Sequence, residues 1–458
     1  MNPLIHTFFI LAHICAITTQ SNEPMQPHEG QPTGVTFSRA SELYHRKFFE
    51  TLKVAFPEQL IESRLSAYAD QSPIPLVGSA DRVILFAFYE GDNWETTYAQ
   101  VGILADAFTG SDDVAGVNTN SLGVFFLDLE GRHDRREEKT VSDSTQRAIV
   151  KSQGVPPRAL ARSLRANGVE FVVSVNVHSH LIDKIFKNAG LEHIPLATEP
   201  VLIDELTKRG YFTDQTLSEL VIGTTDIGGL KEAVTTKKYI DNKFGVAVPI
   251  AIINKQRIPL DDGKSKTQQE FAFGNVQNKR VLVIDDRSDS AKSIKGAVDI
   301  YGKQGAEEVV VYITHPVFAD ANYYQTIQEL LRNPKVKFIF VSNSLPMGED
   351  RVSRKGGIDV PYVWINGANG KKRHKKQLEI LDIHPFVIKA TKTILDSPTL
   401  EEAVKIFTQQ KILLDMRSPY QTFEELTQAP LPRSQVIAIY DHGQFMPLPH
   451  SSISSSST

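Results

Sequence analysis

Residues 281–293 read Val281-Leu282-Val283-Ile284-Asp285-Asp286-Arg287-Ser288-Asp289-Ser290-Ala291-Lys292-Ser293, and a helix-like run follows over residues 294–303. Four consecutive apolar residues, mostly β-branched, describe a strand buried on both faces, as in a parallel sheet. Its carboxyl end delivers Asp285 and Asp286, and the carboxyl ends of open α/β sheets are where ligands bind. The small polar segment beyond opens a helix, so its N–H groups and the hydroxyls of Ser290 and Ser293 can cradle a phosphate. Paired carboxylates beside such a cradle suit a ribose bearing a 5-phosphate, with acids on the ribose hydroxyls and amides on the phosphate. The same residues also describe ordinary N-capping after a strand. Spacing alone leaves both readings open.

Outward from this stretch, short apolar runs recur at residues 82–89, 122–129, 170–177, 220–222, 246–253, 309–313 and 336–342. Between them, residues 94–108, 157–167, 199–209 and 229–236 carry helical spacing, as do residues 38–56 at the start. Thr399 with Glu401 and Glu402 supplies an N-cap and first-turn acids for a helix to about Leu414. Strands alternating with helices in both halves predict an α/β protein of two doubly wound parallel-sheet domains. The expected division is an apolar then polar extension at 1–33, domains at 34–190 and 191–397, a helical extension at 398–450 and a disordered Ser-rich tail at 451–458.

Composition bounds the function. With 458 residues, 41% hydrophobic and 23% charged, the chain can bury a sizeable core. A net charge of −4 gives no overall electrostatic reason to expect nucleic acid or an anionic membrane as partner, so neither is expected and any basic chemistry must be local. The basic run 371–376 (Lys-Lys-Arg-His-Lys-Lys) reads as a solvated loop, because no aromatic residues interleave with it for base stacking. The single cysteine, Cys15, excludes an internal disulfide framework. Residues 3–19 have the length of a signal-peptide apolar region, but no Lys or Arg precedes them and His6 and His13 interrupt them, so a cytoplasmic chain with an uncleaved N-terminus is expected, an exported one being the alternative.

Further constellations stand in the same order as a known family's motifs. The 281–293 stretch resembles the phosphoribosyl pyrophosphate (PRPP) loop shared by type I phosphoribosyltransferases and PRPP synthetases. Asp289 and Ser290 fill its Asp-Thr positions and Ser293 its last Thr, while Lys292 stands where the family has Gly. Arg132-His133-Asp134-Arg135-Arg136 resembles the Arg-Gln-Asp-Arg-Lys segment by which PRPP synthetases bind ATP. Tyr68-Ala69-Asp70-Gln71-Ser72 is similar to the family's Phe-Ser-Asp-Gly-Glu hairpin. Strand 172–177 ends at His178, at the position of the family's histidine near the magnesium-bound triphosphate. Thr225-Asp226-Ile227-Gly228-Gly229-Leu230-Lys231-Glu232 is similar to Pro-Asp-Ala-Gly-Gly-Ala-Lys-Arg, with Glu232 reversing the charge of the Arg. Asn254-Lys255-Gln256-Arg257 carries the Lys-x-Arg that opens the family's catalytic loop. Segments at 137–156 and around 367–376 are additions to the family pattern.

The resemblance implies two phosphoribosyltransferase-type domains and ribose-phosphate diphosphokinase activity, the anomeric hydroxyl of ribose 5-phosphate attacking the β-phosphorus of ATP to give PRPP and AMP. It implies that Lys255 and Arg257 are catalytic, on a lid that closes over the transferred group. Ribose 5-phosphate would be held by Asp226, Asp285, Asp286, Asp289, Ser290, Ala291, Lys292 and Ser293. ATP would be held by Tyr68, Asp70, Arg132, His133, Asp134 and Arg135, with Mg2+ near His178 and Asp226. A homo-oligomer is implied. The departures Ser72, His133, Glu232 and Lys292 keep a catalytically silent regulatory homologue as the alternative, and a PRPP-consuming phosphoribosyltransferase as a second one.

Overall fold

The computed structural model describes residues 14–15, 34–38, 46–57, 64–67, 73–76, 82–87, 94–109, 121–129, 156–259, 265–345, 361–366, 373–428, 440–441 and 444–445. Tyr68, Asp70, Arg132, His133, Asp134 and Arg135 lie outside the described residues, as do the Ser-rich tail and the added segment 137–155. Arg257 is described only as a position in a strand.

Two twisted sheets carry the fold. The first places β1 (Gly34–Ser38), β2 (Arg82–Ala87), β3 (Ser121–Phe126), β4 (Phe171–Val175) and β5 (Glu192–Leu196) side by side and parallel, with Ile14–Cys15 antiparallel at the edge. The second is built from β6 (Leu220–Thr224), β7 (Ile250–Pro259), β8 (Ser265–Phe273), β9 (Arg280–Ser288), β10 (Glu308–Pro316) and β11 (Val336–Ser342). A separate hairpin of β12 (Tyr362–Asn366) and β13 (Arg373–Gln377) follows, and β14 (Glu379–Leu381) returns to the second sheet. Its order is β8-β7-β6-β9-β10-β11-β14, and only β8 runs antiparallel to its neighbour.

Burial explains the apolar run that opens β9. Val281 and Val283 belong to the core cluster on one face of the sheet, with Ile294, Val298 and Ile327 of helices Lys292–Lys303 and Tyr323–Arg332. Leu282 and Ile284 belong to the cluster on the other face, with Leu202, Leu230 and Val234 of helices Glu199–Lys208 and Leu230–Phe244. A strand covered on both sides has no polar face, so alternation disappears. The first sheet is likewise covered twice. Val101, Leu104, Ala161 and Phe186 pack on one face, and Phe48, Leu52, Val387 and Phe407 on the other. The chain therefore comes back after the second sheet, and helices His384–Asp396 and Leu400–Gln410 complete the first core. Thr399 caps the latter, its hydroxyl accepting from Glu402 N at 3.3 Å.

The structure corrects several expectations. The first sheet extends past residue 190 to β5, whose Pro195 and polar start obscure its strand character. Lys255 and Arg257 sit in β7, opposite Gln269 and Thr267 of β8, so the two cations stand on a paired hairpin and not on a loop. Antiparallel pairing supplies their backbone groups with partners, and only residues 260–264 between the strands lie outside the described residues. The basic run is also half strand: β13 begins at Arg373, and its register sets Trp364 opposite Lys375. Aromatic residues therefore do interleave with these cations, from the neighbouring strand.

Candidate active site

The carboxyl ends of both sheets meet at Asp286. β9 carries Asp285 and Asp286 beyond its apolar run. From the first sheet, β4 ends just before Asn176, a non-glycine residue in the left-handed region (φ 37°), a conformation that Asn tolerates better than most. Its side chain is held on both sides. Asn176 Oδ1 accepts from Thr198 N at 2.9 Å, and Asn176 Nδ2 donates to Glu199 Oε1 at 2.6 Å. The turn so fixed brings His178 Nδ1 to 3.1 Å from Asp286 Oδ2. Nδ1 donates there, since a carboxylate has only acceptors.

Behind Asp286, Lys231 Nζ donates to Asp286 Oδ2 at 2.9 Å and lies 2.5 Å from Glu232 Oε1. Lys231, Glu232 and Asp286 are all buried. Burial alone would raise the Asp286 pKa, but Lys231 and then His178 outweigh it and hold the carboxyl far below the ordinary range. Asp285, whose Oδ1 accepts from Thr225 Oγ1 at 3.1 Å, goes the other way: burial, then the charges of Asp286 and Asp226, raise its pKa. Two adjacent carboxyls are thus split, one fixed as an anion and one able to keep a proton. His180, which joins no such contact, has its pKa lowered to about 4 by burial and by Lys231.

The loop after β9 turns into the N-terminus of a helix. Ala291 takes a left-handed conformation (φ 60°) and precedes helix Lys292–Lys303, which has no side-chain cap. First-turn N–H groups lack intrahelical partners and attract anions. Ser288 Oγ accepts from Ala291 N at 3.0 Å and Ser290 Oγ from Lys292 N at 3.3 Å, which shapes the turn. Asp289 accepts through its carbonyl from Asp320 N at 3.1 Å. The exposed side chain of Lys292 donates through Nζ to Asp320 Oδ2 at 3.3 Å, beside the same turn. From β7, Lys255 Nζ donates to Ser293 Oγ at 2.9 Å and stands 3.5 Å from Asp226 Oδ2. Asp226 Oδ1 meanwhile accepts from Gly228 N at 2.9 Å. Asp226, Asp285, Asp286, Ser293, Lys255 and His178 are therefore brought together.

Some residues of this region escaped the sequence reading. Asp128, just past β3, presents both carboxylate oxygens at 3.0 Å to Arg287 Nη1, a buried ion pair that ties one sheet's end to the other. Its signal was an acid closing an apolar strand, the same signal that singled out Asp285. His315 did not escape that reading, since Thr314-His315-Pro316-Val317-Phe318 resembles the family's Thr-His-Gly-Val-Phe. Its ring nitrogens bridge too, bonding Ser344 Oγ at 2.9 Å and Val175 O at 3.0 Å. Gln269 of β8 donates to Thr225 O at 2.8 Å and Ser293 O at 3.2 Å, clasping the turn before Asp226 to the phosphate-loop helix.

A pH dependence follows from Glu199, fully buried against Asn176. Burial, opposed by its hydrogen bonds and Lys231, raises its pKa from 4.5 to about 7. Burial raises the Glu232 pKa as well. Between the pH at which an unfolded glutamate ionises and that at which the folded one does, the native state keeps a proton the unfolded state has lost, so stability falls as pH rises. The loss across that window for Glu199 is about 3 kcal/mol, at ~1.4 kcal/mol per pH unit. Asp286 contributes the opposite slope only below the ordinary carboxylate range. Histidines held below their ordinary range by burial, His180 among them, give the opposite slope over the same interval, so the test is the difference between two proteins. In urea unfolding at pH 5 and pH 7.5, the change in stability should be less favourable for the parent than for Glu199→Gln, and identical changes in the two contradict the buried protonated state.

Two parallel sheets with acids and an uncapped helix N-terminus at the carboxyl end of β9 give a phosphoribosyltransferase-type α/β fold. A phosphoribosylpyrophosphate synthetase from Mycobacterium smegmatis superposes with a TM-score of 0.51 at 16% identity, covering 77% of this chain and 96% of its own. No model of a known protein family matches the chain. Among curated proteins, a ribose-phosphate pyrophosphokinase from Gloeobacter violaceus is 27% identical over 199 residues, 43% of this chain and 53% of that one. One from Prochlorococcus marinus strain MIT 9313 is 27% identical over 252 residues, 54% of this chain and 69% of its own. Ribose-phosphate pyrophosphokinase 4 of Saccharomyces cerevisiae is 25% identical over 199 residues, 43% of this chain and 53% of its own. The chain spans about half the length of most of these relatives. The chain is thus similar in sequence to ribose-phosphate pyrophosphokinases over about half its length and shares the fold of a PRPP synthetase.

Proposed function

We propose that this protein is a ribose-phosphate diphosphokinase that moves the diphosphoryl group of ATP to the anomeric hydroxyl of ribose 5-phosphate. The observation that carries the reading is the position of Lys255, whose Nζ reaches Ser293 Oγ and the Asp226 carboxylate from the strand beside the phosphate loop. Asp285, Asp286 and Asp289 take the ribose hydroxyls, and Ser290, Ser293 and the amides around Ala291 and Lys292 take the 5-phosphate. Lys255 and Arg257 act on the transferred group, where positioning and charge stabilisation supply most of the catalysis. Attack forms the oxygen–phosphorus bond at the β-phosphorus as the bond from that phosphorus to the oxygen bridging to the α-phosphate breaks, AMP leaves with the electron pair, and the hydroxyl proton passes to solvent. ATP falls to Tyr68, Asp70, Arg132, His133, Asp134 and Arg135. Assembly into a homo-oligomer and a cytoplasmic location belong to the same reading.

Magnesium fits this donor set in a limited way. It is held by one or two carboxylates together with substrate phosphates and water, and Asp226, partly exposed beside Lys255, is such a carboxylate. His178 offers a nitrogen already tied to Asp286, so it suits contact through water rather than direct ligation. When bound, the ion would neutralise phosphate charge.

Glu232 favours a second reading, a folded but silent regulatory homologue. In the position of the family's Arg stands a buried carboxyl in contact with Lys231, so a cation is absent there. Purified protein incubated with magnesium, ATP and ribose 5-phosphate should form AMP and PRPP in equal amounts. Folded protein that forms neither moves the assignment to the silent homologue. PRPP consumed only when a base is added points to a phosphoribosyltransferase.

A further inference from the structure

We propose that the β12–β13 hairpin is a binding face for single-stranded nucleic acid, with bases stacking on Trp364 and Tyr362 and phosphates drawn to Lys375 and the cations beside it. The hairpin's two faces differ sharply. Val363 turns inward, 4% exposed, into the core cluster that contains Ile327 and Leu331. Lys376 turns inward too, Nζ donating to Val336 O. On the other face Tyr362 is 38% and Trp364 59% exposed, their rings edge to face at 6.4 Å. Cross-strand pairing sets Trp364 opposite Lys375 and Tyr362 opposite Gln377, and Lys375 Nζ lies 4.5 Å from the Tyr362 ring centre.

Charge selects the partner. Residues 360–378 contain no Asp or Glu, and apart from the inward-turned Lys376 they carry Lys371, Lys372, Arg373 and Lys375, in a chain whose overall charge is −4. This local excess of positive charge calls for a polyanion. Two large exposed rings add a demand that an acidic protein segment does not meet, whereas stacked bases on a phosphate backbone meet both, at ~1–3 kcal/mol per stacked base. Position keeps the hairpin clear of the candidate active site. Gln328 Nε2 holds Tyr362 O at 3.0 Å, and Lys376 reaches the first residue of β11, at the end of the parallel sheet opposite Asp285.

The test uses the full chain and 12-nucleotide oligo(U) and oligo(dT), which separate RNA from DNA as the source. Trp94 is the only other tryptophan, so emission of a Trp94→Phe protein reports on Trp364. Oligonucleotide should quench it, and labelled oligonucleotide should show raised anisotropy. Trp364→Ala should weaken binding at least fivefold with unchanged circular dichroism. Lys375→Ala should lower the slope of log affinity against log salt by about 0.7. No binding of either oligonucleotide by folded protein at low salt overturns the proposal, as does equal affinity for polyglutamate or an affinity that Trp364→Ala leaves unchanged. Trp364-dependent self-association without oligonucleotide binding also overturns it, giving the face to a second copy of this chain. None of these readouts depends on diphosphokinase activity.

Discussion

Replacing Lys231 by Met lowers the stability of the folded protein by about 3–5 kcal/mol, the cost of breaking a buried ion pair by removing one partner. The ammonium is the only positive charge that the described residues place within a salt bridge of both Glu232 Oε1 (2.5 Å) and Asp286 Oδ2 (2.9 Å). Methionine keeps most of the volume, so the loss is electrostatic rather than a cavity. Asp286 then retains His178, which is 39% exposed and compensates incompletely. Glu232→Gln separates the contributions. Burial raises the Glu232 pKa against the pull of Lys231, so it is the weaker anion of the two, and a neutral amide of the same shape should cost under about 1 kcal/mol. The pair of results identifies Asp286 as the anion that needs the lysine. A Lys231→Met protein within about 1 kcal/mol of the parent in urea unfolding sinks this account.

What could be read from the chain beforehand was whatever is local. The apolar run Val281 to Ile284, its closing acids and the polar turn to Ser293 lie within one segment, and burial on both faces makes such a strand unmistakable. Lys255 and Asp226 were identified by resemblance, and the structure places them 3.5 Å apart. Contacts between distant segments were not legible. Asp128 and Arg287 are 159 residues apart, and nothing near either announces the other. Glu199 looks like a first-turn helix acid, yet tertiary packing buries it completely beside Asn176. Trp364 and Lys375 become neighbours only through hairpin register, so the linear run of cations seemed to lack aromatic company. Strand β5 was missed because Pro195 interrupts it, a residue tolerated there because β5 is an edge strand. The destination of the last helices was equally hidden. Their apolar stripes, Val387 and Phe407 among them, fit either sheet, and only the three-dimensional path assigns them to the first.

Lys255→Ala is expected to reduce turnover in the AMP-forming assay about a hundredfold while leaving thermal stability nearly unchanged. The small stability effect follows from a side chain that is 23% exposed and whose partners, Ser293 and Asp226, stay accessible to water when it is removed. The large catalytic effect follows from charge. Lys255 stands between the phosphate-loop helix and Asp226, where phosphate oxygens of both proposed substrates would converge. Without it, the phosphate-loop side of Asp226 loses its one described cation facing those oxygens. Removing a single preorganised donor from a developing oxyanion typically costs about 2.7–4 kcal/mol, and a hundredfold loss is ~2.7 kcal/mol. The ammonium's resting contacts add a second expectation. It must exchange Ser293 Oγ for a phosphate oxygen as substrates bind, so the variant should lose kcat more than its affinity for ribose 5-phosphate, which the loop amides and Asp286 still hold. A loss below tenfold, under ~1.4 kcal/mol, removes Lys255 from the catalytic role, and a matched loss of ribose 5-phosphate affinity makes it part of the phosphate cradle instead.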